Sequence, residues 1–279
     1  MKLRLYHHPD GARIAYREQG TGPALILWHP ELLTHRALFP LVEGLEHRFR
    51  VVLPDLPLHG DSEDRSNHPY TLDWLAEVVG GFCHDVGGSR PLVGGQGIGA
   101  EIVLRAIELD VLHPAQLVLL PARLHRAVDG DALWRRWRVA ARVGQAPIID
   151  RLWMRAARRA LRPEHAVGQT ARRDPAAADL IRHAMADVAG NANLARSWAT
   201  LARRWPSAPR RELLDLYPRL DMPVLLLWPQ DDPGYPASVP EELLDLIPHA
   251  QLRVVEHCGY LMAIDDPVAV AREIVAFCG

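Results

Sequence analysis

Short apolar runs alternate with helix-length segments along the first part of the chain, and this rhythm most constrains what it can fold into. ALILWH (24–29), FRVVLPD (49–55), RPLVGG (90–95) and AQLVLLP (115–121) are runs of strand length. An apolar run that does not alternate with polar residues is buried on both faces, as in a parallel sheet covered by helices. Between them, residues 72–86 (LDWLAEVVGGFCHDV) and 99–110 (GAEIVLRAIELD) have helical spacing. The rhythm returns with PVLLLWPQDD (223–232), AQLRVVEH (250–257) and a closing helix from Asp266-Pro267 to Phe277. Pro at the first helical turn costs no hydrogen bond, which fits that start. An α/β fold with a mostly parallel, doubly wound sheet is expected.

The middle of the chain breaks the rhythm. Residues 129–144, 148–161, 174–190 and 191–205 are four helix-length segments with no strand between them. Residues 1–121 and 221–279 are therefore expected to form the core, and 122–220 a helical cap inserted into it. Five of the eight tryptophans (134, 137, 153, 198 and 205) fall in this insert. They read either as helix packing or, for Trp134 and Trp137, as the lining of a pocket that takes an aromatic or hydrophobic molecule. The net charge of −2 hides an asymmetry, because 122–220 holds 20 Arg against 9 acids while the rest holds 12 basic residues against 25 acids. Cap-to-core complementarity accounts for this more simply than nucleic-acid binding, so no nucleic-acid partner is expected.

Composition excludes further classes. Lys2 is the only lysine, which removes Schiff-base and pyridoxal-phosphate chemistry. Cys83, Cys258 and Cys278 are too scattered for a disulfide framework or a zinc cluster, and the histidines lack metal-ligand spacing. No cofactor and no metal are expected. No apolar run of about 18 residues is present to span a bilayer, so no membrane partner and a cytoplasmic location are expected. A monomer or homodimer fits equally.

Five ordered blocks carry a more specific signal. LWHPELLTHR is followed by Asp55-Leu56-Pro57-Leu58-His59-Gly60-Asp61-Ser62; then come LVGGQGIGA, PVLLLWPQDDP and VVEHCGYLMAIDDP. Over nearly its whole length the chain resembles the α/β-hydrolase fold family. The blocks match that family's oxyanion loop, its D-x-x-G-H-G-x-S turn, its nucleophile elbow, its acid-bearing strand and its final histidine segment. The resemblance implies an α/β-hydrolase fold with the four helices as cap. GQGIGA also satisfies a dinucleotide fingerprint, but the acidic residue expected about 20 positions on is missing at a clean strand end.

The catalytic letters depart from the family. Gly97 occupies the nucleophile slot of G-x-S-x-G, and Tyr260 occupies the histidine slot, counted back from Asp265-Asp266-Pro267. Only the acid, Asp232, is as the resemblance implies. Losing nucleophile or base costs a serine hydrolase about a millionfold in turnover, so an acyl-enzyme route is excluded. Glycine still adopts the strained elbow, so the Ile98 N–H remains a candidate oxyanion donor, with the Glu31 N–H as its partner. Asp232 is a candidate proton acceptor or holder of the Tyr260 hydroxyl, Tyr260 a candidate donor, and Glu31 a candidate general base or a solvated loop carboxylate. Gln96, His29 and His35 are candidate substrate contacts beside the empty Gly97 slot, which is expected to enlarge the pocket; His29 and His59 also read as loop-holding groups.

These readings point to a cofactor-independent, non-hydrolytic enzyme of specialised metabolism. It would promote carbon–carbon bond formation, cyclisation or rearrangement of a bulky aromatic or polyketide-like substrate by orientation and proton transfer. Two alternatives stay open: a pseudo-hydrolase that binds a small molecule or a partner, and a hydrolase with water activated directly by Asp232 or Glu31.

Overall fold

A computed structural model describes residues 1–62, 68–125, 162–190, 197, 200–201, 204–206, 210–232 and 234–279, with only the backbone for 185–190. Eight strands form one sheet: β1 (Lys2–His7), β2 (Arg13–Gln19), β3 (Ala24–Trp28), β4 (Arg50–Pro54), β5 (Leu92–Gly95), β6 (Gln116–Leu119), β7 (Val224–Pro229) and β8 (Ala250–Val255). Their order is β1-β2-β4-β3-β5-β6-β7-β8. β1 pairs antiparallel with β2, and β2 antiparallel with β4; every later pair is parallel. The strands expected from the apolar runs all form. Every residue of β3 and of β7 is buried, as helices covering both sheet faces require.

The N-terminal hairpin is an addition to the sequence reading. In β1 only Tyr6 is buried, because this edge strand covers the sheet with one face and meets solvent with the other. The helices flanking the sheet are α1 (Leu72–Gly87), α2 (Ile98–Glu108), α5 (Ser238–Leu246) and α6 (Pro267–Cys278); α3 (Pro163–Val167) and α4 (Ala176–Gly190) lie in the insert. Thr71 caps α1 by accepting from the Trp74 N–H, and Asp266 caps α6 by accepting from the Ala269 N–H. Of the four helix-length segments in the insert, the third forms α4; the first two, with Trp134, Trp137 and Trp153, lie outside the described residues, as does most of the fourth.

Strand order reverses at β3, which has β4 on one side and β5 on the other. Ligands of open α/β sheets sit at such a switch, beyond the carboxyl ends of the strands. Trp28 and Gly95, the last residues of β3 and β5, are register partners, so the loop carrying Glu31 leaves beside the turn carrying Gly97. Pro229 and Val255 close β7 and β8 in the same way, bringing the Asp232 and Tyr260 loops together.

Candidate active site

At the end of β5 the chain turns sharply through Gly97, with φ 52° and ψ −124°, and starts α2 at Ile98. A side chain is strained at that φ, and space excludes it as well. A Cβ on Gly97 would lie 2.2 Å from the Glu31 Oε2 and 2.2 Å from the Tyr260 hydroxyl. The empty nucleophile slot therefore does not enlarge a pocket, which corrects the sequence expectation. Two polar side chains from distant loops occupy it.

The Oε2 of Glu31 accepts from the Ile98 N–H at 3.2 Å and from the Tyr260 hydroxyl at 3.1 Å. The Ile98 amide is thus engaged, but by a carboxylate of this chain. Glu31 enters the expected cradle through its side chain as an acceptor, in place of the expected paired amide donors. The next residue, Leu32, has φ 64°, a conformation costly to leucine, of order 1–3 kcal/mol.

Tyr260 is held from both sides of its peptide. Its N–H donates to the Asp232 Oδ2 at 2.7 Å, and its carbonyl accepts from the Gln96 amide nitrogen at 2.5 Å. Its ring stacks on Tyr235 with centroids 4.7 Å apart. Burial first, then the Glu31 charge, pushes the Tyr260 hydroxyl well above its ordinary range. It therefore keeps its proton at any physiological pH and serves as a donor.

Several sequence-predicted roles change. The second Asp232 oxygen accepts from the Gly234 and Tyr235 N–H groups at 2.8 and 3.2 Å, so this carboxylate organises a backbone turn and does not hold the Tyr260 hydroxyl. With both oxygens committed to amides, it is also badly placed to activate water. Gln96, expected against substrate, is buried and spends its amide on Tyr260. His29 is fully buried: its Nδ1 donates to the Pro30 carbonyl at 2.8 Å and its Nε2 accepts from the Leu56 N–H at 2.9 Å. Burial, reinforced by His59, lowers it to about 3, so it is a neutral clamp between two loops, the loop-holding role also read from the sequence, with both ring nitrogens turned away from any substrate. The buried ring of His35 likewise turns to Asp55, with Nδ1 2.9 Å from Oδ1. Trp134 and Trp137 lie outside the described residues.

Two neighbours were not singled out from sequence. Arg123, just past β6, bonds the Tyr235 side chain and places positive charge near Tyr260. Glu101, one turn into α2, is buried; burial raises it to about 7, against the opposing charge of Arg210. An acid in a first helical turn is ordinary, so its burial carried no sequence signal. A cleft of about 290 Å³ lined by Thr71, Asp73, Arg105, Arg204, Arg210 and Glu212 is separate, since none of Gly97, Glu31 and Tyr260 borders it.

The insert reaches this site through backbone contacts. Asp265 accepts from the Gly259, Ala171 and Arg172 N–H groups at 2.8, 2.9 and 3.3 Å, and the Gln169 carbonyl accepts from the Leu261 N–H at 3.0 Å. Ala166, Ala177, Leu180 and Ile181 pack in one apolar cluster with Leu33, Tyr260 and Leu261.

Residues 25–273 match the model of the alpha/beta hydrolase family. The chain belongs to the alpha/beta hydrolase family. Its members are generally enzymes. Among curated relatives, the magnesium-chelatase 30 kDa subunit of Rhodobacter capsulatus is 26% identical over 246 residues, 84% of this chain and 80% of that one. Haloalkane dehalogenase 2 of Mycobacterium tuberculosis is 37% identical over 90 residues, 32% of each chain. An alpha/beta hydrolase fold protein from Burkholderia ambifaria superposes with TM-score 0.81 at 22% identity, covering 99% of this chain and 98% of that one. A thermophilic esterase from Thermogutta terrifontis superposes with TM-score 0.76 at 24% identity, covering 100% and 98%. These structural likenesses speak to the fold alone. No helix among the described residues is long and apolar enough to cross a membrane.

Proposed function

We propose that this member of the family is a cofactor-independent, non-hydrolytic enzyme that rearranges or cyclises a carbonyl compound by proton transfer, with Glu31 as acceptor and Tyr260 as donor. The observation that carries the reading is the pairing of the Glu31 carboxylate with the Tyr260 hydroxyl across a glycine elbow. A carboxylate beside a hydroxyl that keeps its proton is an acid–base pair, and the nearby Ile98 N–H is a donor for developing negative charge. In the proposed step a C–H bond next to the carbonyl breaks. Its proton goes to Glu31, and the electron pair moves onto the carbonyl oxygen, which becomes an enolate. Where a C=C bond is conjugated with the enolate, reprotonation at its far carbon gives an isomer; attack of the enolate carbon on a second carbonyl of the same molecule forms a carbon–carbon bond, with the proton on Glu31 returned to the new alkoxide. A bulky aromatic or polyketide-like substrate of specialised metabolism suits this chemistry.

A second reading draws on how completely the same groups pair with one another. The acceptor and both donors satisfy one another within the chain, as in a site that has ceased to turn over. A relative that is a subunit of a larger enzyme fits a binding or partner role of this kind. Incubation with aryl ketones and β-keto esters in D2O separates the readings. The enzyme is expected to raise the mass of a ketone by whole deuterium increments above the buffer rate, and saturable binding without mass change would support the binder.

A further inference from the structure

Resting on the acid–base reading above, we infer that Glu31 is an internal, displaceable occupant of an anion site, and that the ligand of this site carries an anionic oxygen, a carboxylate or an enolate, that takes the place of Glu31 Oε2 on the Ile98 N–H and the Tyr260 hydroxyl. Two donors from separate elements, the first turn of α2 and the loop after β8, converge on a single oxygen. The oxygen held there now belongs to a carboxylate, and positive charge nearby favours an anionic oxygen over a neutral one on the same two donors. Arg123, bonded to the Tyr235 that stacks on Tyr260, supplies that positive charge.

The occupant is built to leave. Ile98 and Tyr260 are buried and their donors fixed, Tyr260 by Asp232 and Gln96. Glu31 is only partly buried and sits on a loop whose next residue, Leu32, is held at φ 64°. An internal carboxylate competes with any external anion, so apparent affinity falls by the fraction of time the site is self-occupied. Displacement also leaves the Glu31 carboxylate beside the newly bound oxygen, where a base is needed.

Benzoate is the probe, benzamide its neutral counterpart, and the backbone amide signal of Ile98 the readout. Glu31→Ala is expected to bind benzoate at least tenfold more tightly than the unsubstituted protein, with a shift of the Ile98 amide and no comparable response to benzamide. Glu31→Gln, which keeps the shape of the loop, is expected to fall between the two and decides the matter if the alanine variant does not fold. Benzoate affinity unchanged in both variants, a stationary Ile98 signal, or benzamide binding as tightly as benzoate would overturn the inference. Deuterium uptake is independent of this readout, so exchange that persists without benzoate binding would sink the displaceable carboxylate and leave the acid–base pair standing.

Discussion

Gly97→Ser, the substitution that restores the family's nucleophile, is expected to lower stability by about 2–3 kcal/mol and to yield no esterase. The new Cβ would sit 2.2 Å from both the Glu31 oxygen and the Tyr260 hydroxyl, so one of the two loops must move. Adding Tyr260→His does not rescue catalysis. Asp232, which would have to orient that histidine, is bonded to the N–H groups of Tyr260, Gly234 and Tyr235. Glu31 also still lies on the Ile98 amide. Denaturant titration reads the stability, and intact mass after exposure to p-nitrophenyl acetate reads the acyl-enzyme. A stable Gly97→Ser protein carrying an acetyl group on the new serine would show that the slot opens freely.

Asp55→Ala is expected to cost about 3–5 kcal/mol, the range for removing one member of a buried charged pair, here Asp55 with the Arg17 guanidinium 3.7 Å from its Oδ2. The Asp55 carboxylate, fully buried, takes the His35 N–H at 2.8 Å, the His35 ring at 2.9 Å and the Asp61 N–H at 3.1 Å. It also packs so closely on Gly60, at φ +53°, that a Cβ there would lie 2.4 Å from Oδ2. This one side chain ties the loop after β3, which carries Glu31, to the 55–62 turn. Burial by itself would raise the Asp55 carboxyl, but the His35 hydrogen bonds and nearby histidine charge outweigh it and hold it below the usual range. A lowered folded-state value means the stabilisation is full above the ordinary carboxylate range and is lost as pH falls through the folded-state value. The neutral His29 adds to the acid sensitivity, since the unfolded chain takes up its proton near pH 6.5 while the folded chain waits until about 3. Stability is therefore expected to fall steadily from pH 6.5 downward, and the gap between the Asp55→Ala variant and the unsubstituted protein to narrow below pH 4. A gap unchanged at pH 3, followed by thermal unfolding, would contradict this.

The sheet was legible because its central strands are continuous apolar runs, and a run such as VLLLWP admits few other placements. β1 and β2 were not, because KLRLYH and RIAYREQ interleave charge with apolar residues, β1 as a mostly exposed edge and β2 as a mostly half-buried strand beside it. At the site, the motif slots were legible and the directions of the side chains were not. Slot counting finds Gly97 and Tyr260, but it cannot show that a tyrosine in a histidine's place reaches the elbow itself and leaves Asp232 to the backbone. His29 and His35 looked like substrate contacts because their partners, Leu56 and Asp55, lie 27 and 20 residues away. Glu31 was legible as a residue in the right loop; that its carboxylate lands on Ile98, 67 residues on, is a property of the β3–β5 pairing.

The central claim is that Glu31 and Tyr260 carry the chemistry at a glycine elbow. Its most direct test is the initial rate of deuterium uptake into a responsive ketone, compared between the unsubstituted protein, Glu31→Gln and Tyr260→Phe at matched folded fraction. Loss of the base is expected to slow exchange by about 10²–10⁴-fold, and loss of the hydroxyl donor by about 10²-fold. Exchange in Glu31→Gln at the rate of the unsubstituted protein would contradict the account.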